Sequence, residues 1–190
     1  MDLIAAYAPT DRSVPTLRVN MISSLDGAAW VDGRAGGLGG PADQALMRVL
    51  RMYTDVIMVG AGTVRIEGYE GDLIGPAEVQ WRIEHGLSPH PRFVIVSRSG
   101  PTVEERLRDF EERGETQVLC EGGPHLLGTL AAMDCIDELC LTLGPLLAGP
   151  GPGRITAGDL HPIRRMSLVH AIPEDDFLFL RYARIRQDFA

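Results

Sequence analysis

Short apolar runs that end in glycine-rich turns recur along this chain, and that grammar constrains its fold more than any other feature. Leu17 to Ile22 is closed by Ser23, Ser24, Asp26 and Gly27, and Asp55 to Val59 runs into Gly60-Ala61-Gly62-Thr63. Gln117 to Cys120 likewise runs into Glu121-Gly122-Gly123-Pro124. Strand, glycine turn, new segment is the pattern of an α/β sheet covered by helices. Phe93 to Val96 and Glu138 to Leu143 read as further strands. From Pro41 to Tyr53, residues Ala42, Ala45, Leu46, Val49, Leu50 and Tyr53 recur at helical spacing, and Pro41 suits the first turn. Asp43, Gln44, Arg48 and Arg51 lie opposite, on what reads as the wet face.

A second helix is predicted from Thr102, where Thr102 and Glu105 form a capping box and Gly114 supplies the stop. A third opens at Pro124 and runs to about Met133. Ser167 to Ile172 and Phe177 to Ile185, separated by Pro173-Glu174-Asp175-Asp176, predict an antiparallel hairpin. The expected fold class is therefore α/β, a mainly parallel central sheet flanked by helices with an antiparallel C-terminal hairpin. A length of 190 residues fits one domain spanning 1–190. The glycine-rich stretch Gly33 to Gly40 reads as a mobile loop or an excursion over a site.

Composition removes several chemistries. The chain carries 26 acidic and 18 basic side chains, a formal charge of −8, and all its basic residues are arginine. Without lysine there is no Walker loop, no pyridoxal Schiff base and no lysine-aldolase mechanism. The acidic balance argues against general nucleic-acid binding, because that affinity comes from neutralising phosphates. Cys120, Cys135 and Cys140 match no zinc spacing and read as core thiols in a reducing compartment. The segment from Met1 to Pro15 has no long apolar run, so neither a signal peptide nor a membrane span is expected, and the cytoplasm is the default.

Ligands in such sheets collect at the carboxyl ends of the strands, where three unusual loops follow successive strands. Glycines there let backbone N–H groups approach a phosphate, and the helix start that follows adds a partial positive charge. Any one glycine alone would more simply make a tight turn; the convergence of three loops favours a ligand. The dinucleotide fingerprint is incomplete, since Arg65 stands where a third glycine would follow Gly60 and Gly62. No G-x-S-x-G elbow, H-E-x-x-H helix or zinc-deaminase signature is present, and no metal site is expected. His125, His161 and His170 have no ligand spacing. Trp30 and Trp81 either line a pocket or simply pack.

Together, Ser23-Ser24-Leu25-Asp26-Gly27, then Gly60-Ala61-Gly62-Thr63-Val64-Arg65 with Gly68-Tyr69, then Leu119-Cys120-Glu121-Gly122-Gly123-Pro124, and finally Pro145-Leu146-Leu147-Ala148-Gly149, resemble the reductase domain of riboflavin biosynthesis, the RibD C-terminal family. The resemblance covers nearly the whole chain. It implies a dihydrofolate-reductase-like fold, NADPH as hydride donor, a homodimer, and a phosphoribosylamino-pyrimidine whose sugar is reduced to the ribityl chain. Carried over residue by residue, it implies that Ser23, Ser24 and Asp26 contact the substrate sugar. Gly60, Ala61, Gly62 and Thr63 would cradle the cofactor, and Gly122 and Gly123 would offer it backbone donors, with Glu121 facing the ribosyl group. Ser97 and Arg98 would lie at the cofactor's 2′-phosphate.

Hydride attack on C1 of an opened ribose needs a proton or hydrogen-bond donor for the charge that develops, and Asp26, Glu121 or an ordered water is the candidate. Each carboxylate also has a plain structural use, Asp26 in a turn before glycine and Glu121 as a helix cap. One departure from the family stands out. Members usually carry a further strand between the Ser97-Arg98 strand and the Thr102 helix, whereas here only Ser99, Gly100 and Pro101 intervene. That is shorter than the roughly dozen residues a parallel crossover takes. Two other readings stay open: a reductase of the same fold acting on a pterin or another carbonyl compound, and a non-catalytic NADP-binding regulatory protein.

Overall fold

The computed structural model describes residues 2–69, 71–159 and 162–185. Its strands are β1 Thr16–Ser24, β2 Val56–Gly60, β3 Arg92–Val96, β4 Gln117–Cys120, β5 Glu138–Gly144, β6 Met166–Glu174 and β7 Phe177–Arg184. They form one seven-stranded sheet in the order β3-β2-β4-β1-β5-β7-β6. The first five are mutually parallel, and β7 runs antiparallel to both β5 and β6. Every parallel strand therefore ends on the same edge, which gathers the loops after β1, β2, β3, β4 and β5 at one end of the molecule.

The helices are α1 Leu3–Tyr7, α2 Pro41–Met52, α3 Ala61–Glu67, α4 Pro76–Glu84, α5 Val103–Glu112 and α6 Pro124–Ala132. Alternation along β4 shows how the sheet is covered on both faces. Val118 and Cys120 face one core with Val19, Met58, Phe110 and Leu130, while Leu119 faces the other with Tyr7, Leu46, Leu50 and Phe179. The capping box at α5 is present: Thr102 Oγ1 accepts from Glu105 N at 3.2 Å and Glu105 Oε2 accepts from Thr102 N at 2.7 Å. Gly114 follows that helix at φ +69°. At the C-terminal hairpin, Asp175 and Asp176 take φ of 46° and 67°, the primed-turn geometry that matches strand twist.

Three elements were not legible in the sequence: α1, α3 and α4. The Gly33 to Gly40 stretch contains a 3₁₀ turn, Ala35–Leu38. It is tied down, because Glu67 accepts from Ala35 N at 2.8 Å and Gly36 N at 3.3 Å, and Leu38 is fully buried. The reading of α2's polar face as solvated holds for Arg48 and fails for Asp43, which is buried, and for Arg51, whose side chain is 13 % exposed. Cys120 and Cys140 are buried and free, and Cys135 is half-buried. No helix among the described residues is long and apolar enough to cross a membrane. His161 lies outside the described residues.

Candidate functional site

The turns after β2 and β4 meet backbone to backbone. Gly60 N donates to Gly122 O at 2.8 Å, and a Cβ on Gly60 would sit 3.4 Å from Gly123 N. The Gly122–Gly123 peptide is cis, and Gly122 takes φ +84°. A Cβ on Gly123 would run into Thr63 Oγ1, so glycine at 123 is what lets the two turns close on each other. Gly62 is exposed, with only the end of Arg65 near its missing Cβ. The first-turn N–H groups of α3 and α6 have no carbonyl within their own helices to bind. These turns thus present backbone donors and the Thr63 hydroxyl, and no lysine, along one edge. The turn from Ser97 to Pro101 follows β3, the edge strand beside β2; Ser97 is half-buried and Arg98 is exposed. That donor set fits a dinucleotide held by backbone amides at its centre and by an arginine at a phosphate.

Glu121 follows β4 and is 9 % exposed. Arg51 grips it bidentately, Nε to Oε1 at 2.7 Å and Nη2 to Oε2 at 2.8 Å, and Tyr69 Oη donates to Oε2 at 2.9 Å. Arg51 also donates from Nη1 to Leu73 O at 2.8 Å, and Tyr69 stacks on Phe93 of β3. Burial works against the Arg51 charge, but the hydrogen bonds and attraction of Glu121 outweigh it and hold the guanidinium above its ordinary value. Burial likewise pushes the Tyr69 phenol up, with Glu121 adding to it. Accepting from a guanidinium and a phenol at once, Glu121 serves as an acceptor and an anchor for the turn. Arg51 and Tyr69 are the residues that sequence reasoning missed; only the place of Tyr69 in a motif hinted at one of them.

Asp26 sits in the exposed loop after β1. Its carboxylate accepts from the Ser24 hydroxyl, from Ala148 N at 3.1 Å and from Gly149 N at 2.8 Å. Those bonds, the Ser24 hydroxyl first, bring its pKa down to about 2. In this geometry Asp26 accepts hydrogen bonds from both sides and so clamps the β1 loop to the 145–149 loop. Ser24 serves the same turn, accepting from Ala28 N at 2.8 Å. Ser23 is buried and borders a cleft of about 490 Å³ together with Asp26, Gly27, Arg154 and Thr156. Arg154 is exposed and is the cation of that cleft. The glycines and prolines at 149–152 line it as well, and the Trp30 ring packs where a Cβ on Gly153 would stand. Trp81 instead packs between His85 and Tyr53, away from these loops. His125 is exposed, and His170 packs edge-on against Tyr7. No cluster of metal-ligating side chains occurs among the described residues.

Comparison with known proteins supplies the family. The RibD C-terminal domain family matches residues 15–104 and 90–174, two stretches that overlap at the β3–α5 connection. The riboflavin biosynthesis protein RibD of Mycobacterium tuberculosis is 27 % identical over 165 residues, covering 77 % of this chain and 46 % of the relative. The chain thus spans less than half the length of the curated relatives it matches. Among solved structures, a pyrimidine reductase-like protein from Corynebacterium diphtheriae superimposes with a TM-score of 0.86 at 19 % identity, covering 97 % of this chain and 99 % of the other. Acinetobacter baumannii RibD gives 0.73 at 18 % identity over 92 % of this chain and 59 % of the other. The Saccharomyces cerevisiae riboflavin biosynthesis reductase Rib7 gives 0.58 at 17 % identity, covering 97 % and 98 %. The near-complete mutual cover with the Corynebacterium protein shows that the fold occurs at this compact size, and the dihydrofolate-reductase-like architecture expected from the motifs is the one observed. By the match over most of its length, the chain belongs to the RibD C-terminal domain family.

Proposed function

We propose that residues 1–190 form one NADPH-dependent reductase domain acting on a phosphoribosylamino-pyrimidine, converting the ribosyl group to ribityl. The observation that carries this reading is the paired turn of Gly60–Thr63 and Glu121–Gly123, two glycine turns closed on each other at the sheet edge and backed by the Arg51–Glu121 ion pair. When bound, NADPH supplies the hydride. The chain's own residues bind and orient. Backbone N–H groups at Ala61, Gly62 and Thr63 and around Gly123 meet the neutral and phosphate oxygens of a dinucleotide. Ser97 and Arg98 flank its outer end.

Among the described residues, Arg51 and Tyr69 occupy three of the roughly four acceptor positions of Glu121, leaving one on Oε1. A ligand hydroxyl is the natural partner for that position. In the β1 cleft the Ser23 hydroxyl and the Asp26 clamp border the sugar, and Arg154 offers its charge to a substrate phosphate. With the pyrimidine-bearing sugar opened, C1 is electrophilic, and reduction there needs a proton at the neighbouring nitrogen. Asp26 and Glu121 both stand as hydrogen-bond acceptors in this geometry, so water delivers that proton while they fix the hydroxyls around C1. Cytoplasmic location and a homodimer belong to the same reading.

Purified protein given the phosphoribosylamino-pyrimidine should oxidise NADPH in proportion to ribityl product. A parallel screen of dihydropterins and simple carbonyl compounds should give no turnover. Turnover only with a pterin would transfer the reading to that substrate. Tight NADPH binding with no turnover on any substrate would mark a binding protein instead.

A further inference from the structure

Tyr69 meets Glu121 from 52 positions away in the chain. Gly68 ends α3 in the left-handed region, at φ +74° with its N–H bonded to Val64 O at 3.1 Å, and so turns the chain toward β3. Tyr69 then stacks on Phe93, with ring centroids 5.6 Å apart and 17° between the planes, and Arg51 Cζ lies 5.8 Å from the centre of the same ring. A phenylalanine ring would make all of these contacts. The hydroxyl adds one thing only, the 2.9 Å bond to Glu121 Oε2. With Arg51 Nη2 on the same oxygen at 2.8 Å, Oε2 has taken two donors, whereas Oε1 has taken one, Arg51 Nε at 2.7 Å. Each carboxyl oxygen has two lone pairs. Among the described residues, the position left open is therefore on Oε1, and the Tyr69 hydroxyl is what closes its counterpart on Oε2. Burial, with Glu121 adding to it, raises the phenol above its ordinary pKa, so the hydroxyl remains a donor at neutral pH.

We propose that Tyr69 is a specificity-determining residue: it leaves Glu121 able to accept in one direction only, and so makes it read the configuration of the sugar hydroxyl on C2, next to the reacting carbon. This inference rests on the pyrimidine-reductase reading and adds to it a stereochemical choice, the ribo configuration over the arabino. A C2 hydroxyl placed for Oε1 bonds an acceptor that is 9 % exposed. The epimeric hydroxyl points elsewhere and leaves that buried acceptor without its donor, a loss that a site built around one hydroxyl converts into rejection. Without the Tyr69 hydroxyl a second position opens on the neighbouring oxygen, and either epimer finds an acceptor.

Calorimetric titration of the full chain with ribose 5-phosphate, arabinose 5-phosphate and 2-deoxyribose 5-phosphate tests it, because the three differ only at C2. The wild type is expected to bind the ribose compound at least about tenfold more tightly than either of the others, the effect of one hydrogen bond to a buried acceptor. Tyr69→Phe, which keeps the ring and its stacking, is expected to bring ribose and arabinose within about threefold of each other and to leave the deoxy compound the weakest. Its melting temperature should stay at the wild-type value, and its NADP+ dissociation constant within about twofold. Equal ribose and arabinose affinities in the wild type, no detectable binding of any of the three at millimolar concentration, or a ratio unchanged by Tyr69→Phe would each overturn the proposal. So would an equal loss for all three sugars, which would make the hydroxyl a support for the turn, or a loss confined to NADP+, which would assign it to the cofactor. Discrimination that disappears in Tyr69→Phe, without NADPH oxidation on the pyrimidine, would uphold the assignment and remove the reductase reading. Pyrimidine turnover by a wild type that does not discriminate would remove the assignment alone.

Discussion

At the scale of single residues, the two carboxylates that the motifs single out turn out to be held in different ways. Asp26 is exposed and fastened by one hydroxyl and two backbone amides; Glu121 is buried and fastened by a guanidinium and a phenol. For Asp26 the consequence for pH is direct. Its folded pKa falls from 3.8 to about 2, so the clamp is fully present above the unfolded value and is lost only as pH falls from about 4 through 2. An acid limb in the rate profile between pH 5 and 8 should therefore not arise from Asp26. Asp26→Asn places an amide against two backbone donors that want an acceptor. It is expected to lower kcat at least about tenfold while changing the NADPH dissociation constant less than about twofold. Steady-state kinetics beside direct cofactor titration checks this, and an equal loss in both would make the residue a purely structural turn former. The motifs single out residues 26 and 121; their partners were hidden. Arg51 reads as solvated on α2 because its helical phase is polar, and only the fold brings Glu121, 70 positions later, against it. Asp43 is buried for the same kind of reason, by the glycine loop folding back over α2.

Among the elements, strands were legible and short helices were not. β4 is bounded as its apolar run predicts, and α5 as its capping box predicts, because burial and capping are local signals. By contrast α3 has seven residues, none of them buried, so no apolar face marks it. α4 turns inward not a leucine but Arg82, 1 % exposed, whose Nη1 donates to the carbonyls of Met52 at 2.9 Å and Thr54 at 2.6 Å and so closes the end of α2. Across the sheet, Glu138 of β5 joins Arg18 of β1 at 2.6 Å and Arg181 of β7 at 2.6 Å, where the parallel and antiparallel parts meet. Both arginines continue to carbonyls of α1, at Tyr7 and Ala6. Burial opposes the Glu138 charge, but the two guanidiniums, Arg18 foremost, outweigh it and hold its pKa below the usual 4.5. Its contribution is thus present at neutral pH and is lost as pH falls below the unfolded value. Glu138→Gln leaves two buried guanidiniums without a counter-charge and should cost about 3–5 kcal/mol. Thermal unfolding should then come about 10 °C lower for a domain of this size. A shift below about 2 °C would mean that water, not Glu138, compensates the arginines.

For the whole molecule, one arrangement accounts for where the chemistry collects. Five parallel strands end on one edge, and all the implicated loops, 23–27, 60–63, 97–101, 121–124 and 145–156, follow from that topology. The shortened connection after Arg98 is accommodated by making β3 the sheet edge and α5 the crossover to β4. The absence of lysine acquires a structural meaning at this scale. Arginine supplies the buried counter-ions at Glu121 and Glu138, while Arg98 and Arg154 remain exposed in loops at the carboxyl edge of the sheet. The claim on which everything else rests is that a hydride passes from the dinucleotide turn to the sugar carbon above the β1 cleft. The most direct measurement is turnover with NADPH deuterated at C4 on each face in turn, followed by mass spectrometry of the pyrimidine product. The account predicts a ribityl product carrying deuterium at C1 from one of the two labelled cofactors. Cofactor oxidation without deuterium in the product, or no ribityl product from either cofactor, would contradict it.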